Sequence, residues 1–370
     1  MAAAVKVLCV NAGSSSLKLA MVNARADGES RLRDKELHVT KDGGAAAEVL
    51  AGALHEWGQG TPDAIGHRLV HGGPDQVAPL RIDKDARARL ERAVPFAPLH
   101  LPSELATVDA AARVYPDVPQ VACFDTAFHV TLPDVARRLP IAEWADAQGV
   151  RRYGFHGLSY EYVVTHLGAD VLGPAVIAHL GSGASLAAIQ GGRSIDTTMG
   201  MSPTGGIMMG TRTGDLDPGA LVHLLDVKKW NVRELEHFVN HECGLLGVSI
   251  TTSDMRKLLA ARDSDPRARL AVDLFVYTLQ KAIGALAVSL GGLGSLVFTG
   301  GIGARSSVVR AEVCARLAFL GVALDAAKNE ESAAIISAPG PRCTVRVIET
   351  DEEVVIARHV RACLDPNGGG

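Results

Sequence analysis

The stretch VKVLCVNAGSSSLKLAMV, residues 5–22, decides our interpretation of the fold. A Val-rich apolar run, residues 5–10, ends in a turn of small residues, 11–16, and an alternating run, 17–22, follows at once. This pattern predicts two strands around a tight turn. The same design returns at residues 175–189, where AVIAHL is followed by GSGAS and LAAI. A strand-turn-strand unit therefore occurs twice.

The repeat and the chain length together predict two similar α/β halves that face a cleft. At ~150 residues per domain, a chain of 370 residues is expected to form about two domains. We expect a first domain at residues 1–125 and a second at 126–350, with the boundary near 125–133. The last segment, 351–370, is expected to pack back on the first domain.

The composition is that of a globular protein without a strong charge bias. The chain is 47% hydrophobic and 21% charged, and its net charge is −4. This excludes a collagen-like or wholly disordered chain, and we expect neither nucleic acid nor an anionic membrane as a partner.

The cysteines and the amino terminus indicate a cytoplasmic location. The 6 cysteines are scattered, which is typical of reduced core residues and not of a disulfide framework. The first residues lack a signal peptide pattern, and apolar stretches such as 282–297 contain Gly and fall short of the ~20 residues that span a bilayer.

Periodicity predicts the other elements. Asp265 is a plausible N-cap for the helix at 266–290, and Thr350 with Glu353 fits a capping box before the final helix. We expect helices at 85–93, 102–114, 215–225, 232–240, 266–290, 307–319 and 351–363, and strands at 120–124 and 296–299.

Three strands are predicted to end in glycine-rich turns, at Gly13, at Gly181 and at residues 300–303. Such a turn is an ordinary hairpin or a concave nest of backbone N–H groups that binds an anion. Three of them in one chain favour several phosphates. The sequence contains neither a P-loop motif nor the dinucleotide fingerprint after its first strand.

Arg68 lies in an apolar, strand-like run, IGHRLVHGG, residues 65–73. A cation there needs an anion, which is either a structural carboxylate or a bound substrate. His67 and His71 are spaced like a helical metal pair, but a strand does not bring residues four apart into that geometry.

Three more residues are candidates for chemistry, although each also has a structural interpretation. Asp125 ends a predicted buried strand, His156 lies in RRYGFHG, and Arg212 lies in MGTRTGD. Two arginines, a histidine and a carboxylate beside several phosphate nests are the groups that phosphoryl transfer requires.

The chain resembles the acetate kinases and their propionate-using relatives almost from end to end. The motifs that carry the resemblance are NAGSSSLK (11–18), GHRLVHGG (66–73), APLHLP (97–102), FDTAFH (124–129), RRYGFHG (151–157), HLGSGAS (179–185), DTTMGMSPTGG (196–206), MGTRTGDLDP (209–218), TSDMR (252–256), FTGGIG (298–303) and TDEEVVIAR (350–358).

The resemblance implies the fold of actin, hexokinase and the heat-shock chaperone ATPases, in which two ribonuclease-H-like domains close over ATP and Mg²⁺ or Mn²⁺. It implies transfer of a phosphoryl group from ATP to a short-chain carboxylate, giving ADP and acyl phosphate by direct in-line attack. It also implies a cytoplasmic homodimer.

By position, Arg68 and Arg212 would clamp the phosphoryl group and the carboxylate, His156 would hydrogen-bond the transition state, and Asp125 would fix an arginine or the metal shell. The metal would be held by Asn11 and Glu352. The acyl group would lie against Val70, Leu99, Phe155 and Pro203. ATP would be bound by Ser14, Ser16, Lys18, His179, Gly181, Ser182, Gly183, Asp254, Met255, Arg256, Gly301, Ile302 and Gly303.

Some positions depart from the family pattern, among them Ser182, Leu101, Ala304 and Arg305. They keep open a kinase with another phosphoryl donor or acyl acceptor. A module of the same fold that binds ATP without transferring a phosphoryl group is a further alternative.

Overall fold

The computed structural model describes residues 4–12, 16–25, 28–38, 44–57 and 60–365. The strands are β1 (Val5–Ala12), β2 (Ser16–Arg25), β3 (Gly28–His38), β4 (Ala64–Leu69), β5 (Leu80–Arg81), β6 (Gln120–Phe124), β7 (Ala175–Leu180), β8 (Ala184–Gln190), β9 (Arg193–Thr197), β10 (Ser295–Thr299) and β11 (Thr344–Val347).

Short and long helices connect these strands. The helices are α1 (Gly44–Trp57), α2 (Lys84–Arg92), α3 (Leu101–Val114), α4 (Asp134–Arg137), α5 (Glu143–Ala147), α6 (Gly157–Leu167), α7 (Ala169–Leu172), α8 (Pro218–Lys228), α9 (Val232–His237), α10 (Gly244–Ser249), α11 (Met255–Ala261), α12 (Pro266–Ser289), α13 (Gly300–Arg305), α14 (Ser307–Ala315), α15 (Ala326–Glu330) and α16 (Glu352–Leu364).

The two sheets confirm the repeat. The first has the order β3-β2-β1-β4-β6-β5 and the second the order β11-β10-β7-β8-β9. In each, the predicted strand-turn-strand unit is an antiparallel pair, β1 with β2 and β7 with β8. Its first strand then pairs in parallel with a later strand, β4 in the first sheet and β10 in the second. The mixed α/β fold class is therefore as expected.

The chain forms two compact units. The first contains the described residues up to Val130, Phe155–Tyr162 and the described residues from Asp351 onward. The second contains Thr131–Gly154 and Val163–Thr350. The carboxyl-terminal helix α16 packs on the first sheet. Our division of the chain into domains at residue 125 stays a prediction.

Helices cover both faces of the first sheet. On one face α16 contributes Val355, Ile356, Ala357 and Val360, which pack against Val7, Cys9, Val121 and Cys123. On the other face α1 and α3 pack against Leu8, Val10 and Ile65. Burial of both faces explains why the central strands β1, β4 and β6 are apolar runs.

Gly66 of β4 allows α16 to approach the sheet closely. A Cβ at this position would lie 2.4 Å from Cγ2 of Ile356 and 2.7 Å from Cγ2 of Val360. We expect Gly66→Ala to lower the free energy of unfolding by about 1–3 kcal/mol, the usual cost of overpacking. Chemical denaturation of purified protein measures this change.

The matched control is Gly52→Ala in helix α1, where a Cβ would meet nothing within 4 Å. Since alanine favours a helix interior over glycine, we expect this variant to gain about 0.5–1 kcal/mol. Equal effects at the two positions would contradict the packing argument.

Most predicted helices are present, but several ends are shifted. Asp265 caps α12 as predicted, accepting a 2.8 Å hydrogen bond from the Arg267 N–H. The capping box at Thr350 is wrong, because Asp351 caps α16 through the Val354 N–H. The helix expected at 215–225 begins at Pro218 after the cap Asp217.

The helix predicted at 232–240 is α-helical to His237 and continues as a π-helix over Phe238–Glu242, whereas the helix predicted at 307–319 ends earlier, at Ala315. Residues 300–303, expected to be an irregular turn, form the start of helix α13. Among the described residues, α12 alone is long and apolar enough to cross a membrane by length and composition, a test that buried core helices also pass.

All six cysteines are free thiols, as expected for reduced residues.

Candidate active site

Arg68 and Asp125 form an ion pair at the carboxyl ends of neighbouring parallel strands. Arg68 lies on β4 opposite Cys123 of β6, and Asp125 directly follows β6. Arg68 Nη2 lies 2.6 Å from Asp125 Oδ2, and Arg68 Nε donates to both oxygens at 3.2 and 3.1 Å. A structural carboxylate thus holds the cation in its apolar strand. The bidentate contact also fixes the plane of the guanidinium.

The pair is largely buried, with the Arg68 side chain 14% exposed. Asp125 is 0% exposed, and burial raises the pKa of its carboxyl while Arg68 acts in the opposite direction. Burial alone would lower the pKa of Arg68, but Asp125 and Glu352 raise it above its ordinary value. Each charge therefore depends on the other.

Asn11, at the end of β1, connects this pair to the start of α16. Its Nδ2 donates to Glu352 Oε2 at 2.9 Å and to Glu353 Oε1 at 3.0 Å. Its Oδ1 accepts a hydrogen bond of 3.2 Å from Arg68 Nη1. The two predicted metal residues, Asn11 and Glu352, are thus in contact with each other.

Arg31, Asp351 and Glu353 extend this network, and our sequence analysis missed their part in it. Arg31 Nη2 lies 2.6 Å from Asp351 Oδ1 and 3.2 Å from Glu353 Oε2. The acidic first turn of α16 could have indicated a charged network at this helix end, because the helix dipole favours carboxylates in the first turn. Arg31 lies on a partly exposed strand, and nothing in its local sequence indicates a partner some 320 residues away.

His156 is held next to Asp125 by its backbone. Its N–H donates to the Asp125 carboxylate, and the following Gly157 N–H donates to the Asp125 carbonyl at 3.0 Å. His156 has φ +58°, a left-handed conformation that histidine adopts more often than most residues. Gly157 is required because a Cβ there would lie 2.2 Å from the Asp125 carbonyl oxygen. Asp125 therefore orients both Arg68 and the turn that carries His156.

The predicted acyl-binding residues differ in exposure. In the first unit Val70 and Phe155 are buried, whereas Leu99 is 43% exposed. The Phe155 carbonyl lies 3.0 Å from Nε2 of His129, which fixes the backbone at this position. Pro203 is in the second unit, where its carbonyl accepts a 3.2 Å hydrogen bond from Arg212 Nη1.

The predicted phosphate residues of the first unit are only partly described. Lys18 is an exposed residue of β2 that pairs with Asn11 across the β1–β2 hairpin. Ser14 and Gly13 lie outside the described residues, as does the side chain of Ser16.

The second unit brings several predicted nucleotide-binding residues to the end of β7. His179 lies on β7, and residues 181–183 form a tight turn in which the Gly181 N–H donates to the Gly183 carbonyl at 2.9 Å. The carbonyl of Ser182 accepts from the Gly210 N–H at 3.2 Å. This contact joins the turn to the loop that precedes Arg212.

Helix α13 carries Gly301, Ile302 and Gly303 and packs against β7. Gly300 has φ +74°, and a Cβ there would lie 2.6 Å from the Leu180 carbonyl oxygen, so only glycine allows this approach. Gly301 is exposed, and a Cβ there would meet nothing within 4 Å. The backbone at Gly301 is thus accessible to a ligand.

Arg310, which our sequence analysis did not select, fixes the far end of α13. It is 0% exposed, and its Nη1 donates to the carbonyls of Gly303 and Ala304 at 2.9 and 2.8 Å. Its other nitrogens bind Asn329 and Ser332. The hydrophobic pattern of α14 could not identify this residue, because a pattern of apolar and polar residues assigns an arginine to the exposed face of a helix.

The remaining predicted nucleotide residues lie at the start of α11. Asp254 caps this helix through the Arg256 N–H at 2.9 Å, and its carboxylate also pairs with the exposed Arg256 guanidinium. Met255 is 4% exposed and belongs to the core of the unit.

His67 and His71 do not form a metal pair. His67 lies on the strand β4, as predicted, and its Nε2 lies 2.6 Å from Gln120 Oε1, whereas His71 follows the end of that strand. His71 Nδ1 accepts from the Gly73 N–H at 2.8 Å. No cluster of three or more His, Cys, Asp or Glu residues suited to a metal occurs in the part of the chain that the structure describes.

Comparison with known proteins shows which proteins the chain is similar to in sequence and fold. The model of the acetokinase family matches residues 53–358. An acetate kinase from Nitrobacter hamburgensis is 43% identical over 97% of this chain and 96% of its own length.

Two solved structures share the fold over nearly their full lengths. An acetate kinase from Porphyromonas gingivalis is 35% identical with a TM-score of 0.83, and the match covers 97% of this chain and 100% of that one. A propionate kinase from Francisella tularensis is 31% identical with a TM-score of 0.85, with 96% and 98% covered.

Proposed function

Because the chain belongs to the acetokinase family, we propose that the Arg68–Asp125–His156 cluster is the part of its active site that the first unit supplies. The enzyme phosphorylates acetate or propionate with ATP and releases acyl phosphate and ADP. It has the two-sheet fold that its relatives share with the actin and hexokinase superfamily.

The observation that carries this proposal is the double role of Asp125. Its carboxylate holds the Arg68 guanidinium through two nitrogens and also receives the His156 N–H. A phosphoryl group in transfer carries negative charge on its equatorial oxygens and needs fixed cations and hydrogen-bond donors. Arg68 supplies a cation whose orientation is set before substrate binds, so reorganisation costs little during the reaction.

We assign roles in the second unit in the same way. Arg212 would neutralise charge on the migrating phosphoryl group, and the turn at 181–183 with Gly301 and Ile302 would bind the nucleotide. These assignments rest on the positions that the residues occupy in the motifs shared with the family. They are supported by the glycine-rich turn and by the open backbone at Gly301.

The carboxylate of Glu352 fits a Mg²⁺ ion bound to ATP. Mg²⁺ is commonly held by one or two protein carboxylates together with substrate phosphates. The Asn11 oxygen faces Arg68 while its amide nitrogen holds Glu352, so Asn11 would orient the carboxylate. Bound there, the ion would offset the charge of the phosphates.

Trapping of acyl phosphate with hydroxylamine tests the proposed function. We expect hydroxamate when purified protein, ATP and Mg²⁺ are combined with acetate or propionate, and none without a carboxylate. The assay is repeated with EDTA in place of Mg²⁺ to test the metal. ATP hydrolysis that does not respond to any short carboxylate would favour the non-kinase module and overturn the proposal.

The question of another phosphoryl donor arises from Arg305. In the structure this side chain is exposed and pairs with Glu349 at 3.4 Å. Since its charge is partly offset there, Arg305 gives no reason to prefer another donor over ATP. Comparison of rates with ATP, GTP and pyrophosphate tests this choice.

We further propose a homodimer that covers helix α8. This helix has the apolar sequence PGALVHLLDVK, yet none of its side chains is buried in the described structure. Val222 and Val227 are 66% and 58% exposed, and the nearby Val232 is 78% exposed. An apolar helix without buried residues is typical of a surface that a partner covers.

Val222→Asp combined with Val232→Asp is expected to convert the dimer into a monomer, because charges would then be buried in the interface. Light scattering after size-exclusion chromatography measures the mass. Val135→Asp is the control, since Val135 is 90% exposed on α4, away from these helices in the sequence. A wild-type monomer would refute the dimer without affecting the assigned activity.

We also propose a cytoplasmic location, which the six free thiols support because reducing compartments keep cysteines unpaired.

A further inference from the structure

A buried carboxyl group on α3 contacts the predicted acyl pocket and has no role in the mechanism above. Glu104 is 2% exposed, and its Oε2 accepts a 2.9 Å hydrogen bond from the backbone N–H of Val70. Val70 follows Arg68 by two residues at the end of β4. The contact therefore joins α3 to the segment that carries both the pocket residue and the guanidinium.

The surroundings of Glu104 favour its neutral form. Burial and, to a smaller extent, Asp125 raise the pKa of Glu104, while the Val70 N–H and Arg68 lower it, and the net result is a pKa of about 8. At pH 7 the carboxyl group is mostly protonated. It adds no second negative charge beside the Arg68–Asp125 pair.

The charged groups that face Glu104 are Arg68 on β4 and Asp125 after β6. Two imidazoles lie near it in the chain. His71 accepts from the Gly73 N–H through Nδ1, so that nitrogen is unprotonated, and His100 accepts the Glu104 N–H through its carbonyl.

We propose that Glu104 is a positioning residue of the carboxylate site, which holds Val70 and, while it is protonated, leaves the charge of Arg68 available to the acyl substrate. This inference rests on the proposed function, in which Arg68 binds the carboxylate. Once ionised, Glu104 would compete for the Arg68 charge and repel a substrate that is itself an anion. Substrate binding should therefore weaken as Glu104 loses its proton.

The test is the pH dependence of KM for acetate. We expect the wild-type KM to rise roughly 3- to 10-fold from about pH 7 to 9, with a smaller change in kcat, since the ionised form binds substrate poorly. In Glu104→Gln, which keeps an acceptor oxygen for Val70 but cannot ionise, the rise should disappear. Glu91→Gln on α2 is the control, because Glu91 is an exposed carboxylate paired with Arg87. The KM for ATP, measured in the same buffers, corrects for ionisation of ATP.

A second measurement tests whether Glu104 is protonated in the native state. The native state keeps a proton that the unfolded chain loses near pH 4.5, so the stability contributed by Glu104 falls as pH rises from about 5 to 8. Thermal denaturation should show this decline in the wild type and a smaller one in Glu104→Gln. The same melts establish that the variant is folded.

The outcomes are distinct. A wild-type KM that stays constant between pH 7 and 9, or an equal rise in Glu104→Gln, overturns the role of Glu104 and leaves the kinase intact. A wild-type protein that forms no acyl phosphate at any pH overturns the proposed function instead.

Discussion

Asp125→Ala is expected to lower the free energy of unfolding by about 3–5 kcal/mol and to abolish most of the kinase activity. The substitution removes the bidentate carboxylate of the mostly buried Arg68 guanidinium and leaves Glu352, 3.9 Å from Nε, and breaking one side of a buried ion pair in this way is costly. It also removes the acceptor of the His156 N–H, so two predicted active-site groups lose their orientation together. Chemical denaturation and the hydroxamate assay measure the two effects.

The chain contains a matched control for this prediction. Asp109 pairs with Arg87 through the same two-nitrogen contact, at 3.0 Å, but its side chain is 45% exposed. Because exposed ion pairs contribute little to stability, Asp109→Ala should lower the free energy of unfolding by less than about 1 kcal/mol and leave kcat unchanged. Similar losses in the two variants would show that burial of the Arg68–Asp125 pair does not matter.

Arg212→Ala is expected to reduce kcat by about 10²–10³, the cost of removing one group that stabilises the transition state. We expect a smaller change in stability than for Asp125→Ala, because the Arg212 side chain is half-buried and its Nη1 donates to the uncharged Pro203 carbonyl. Steady-state kinetics, together with thermal denaturation of the same preparation, separates the two effects.

Partial recovery of turnover with added guanidinium ion would identify the missing cation as the cause. Arg233→Ala provides the control, since Arg233 is an exposed residue of α9. Turnover of Arg212→Ala within a few-fold of the wild type would remove Arg212 from the active site.

Local patterns predicted the parts of the fold that depend on neighbours in the sequence. The β1–β2 and β7–β8 hairpins, the strand character of β4 and the Asp265 cap each depend on a few consecutive residues. The requirement that Arg68 have an anion also followed from its apolar surroundings, and the structure supplies Asp125. Those two residues are both at strand ends, where parallel strands bring side chains together.

Other features could not be predicted because tertiary contacts decide them. Asn11 and Glu353 are 342 residues apart, and no periodicity links a strand end to the first turn of a distant helix. Residues 300–303 have the composition of a turn, yet close packing of Gly300 on β7 lets a short helix begin there. The cap of α16 was misplaced by one residue, since Thr350 and Asp351 are both good capping residues.

The position of α16 has a consequence for the order in which the protein folds during translation. Much of the apolar cover on one face of the first sheet is supplied by α16, a helix that the ribosome produces after the entire second unit. Until then the strands β1, β4 and β6 expose one apolar face, and the nascent chain would depend on chaperones or on the tunnel exit to avoid aggregation. The second unit can fold before α16 completes the first unit. The two units would therefore finish folding in the order opposite to their synthesis.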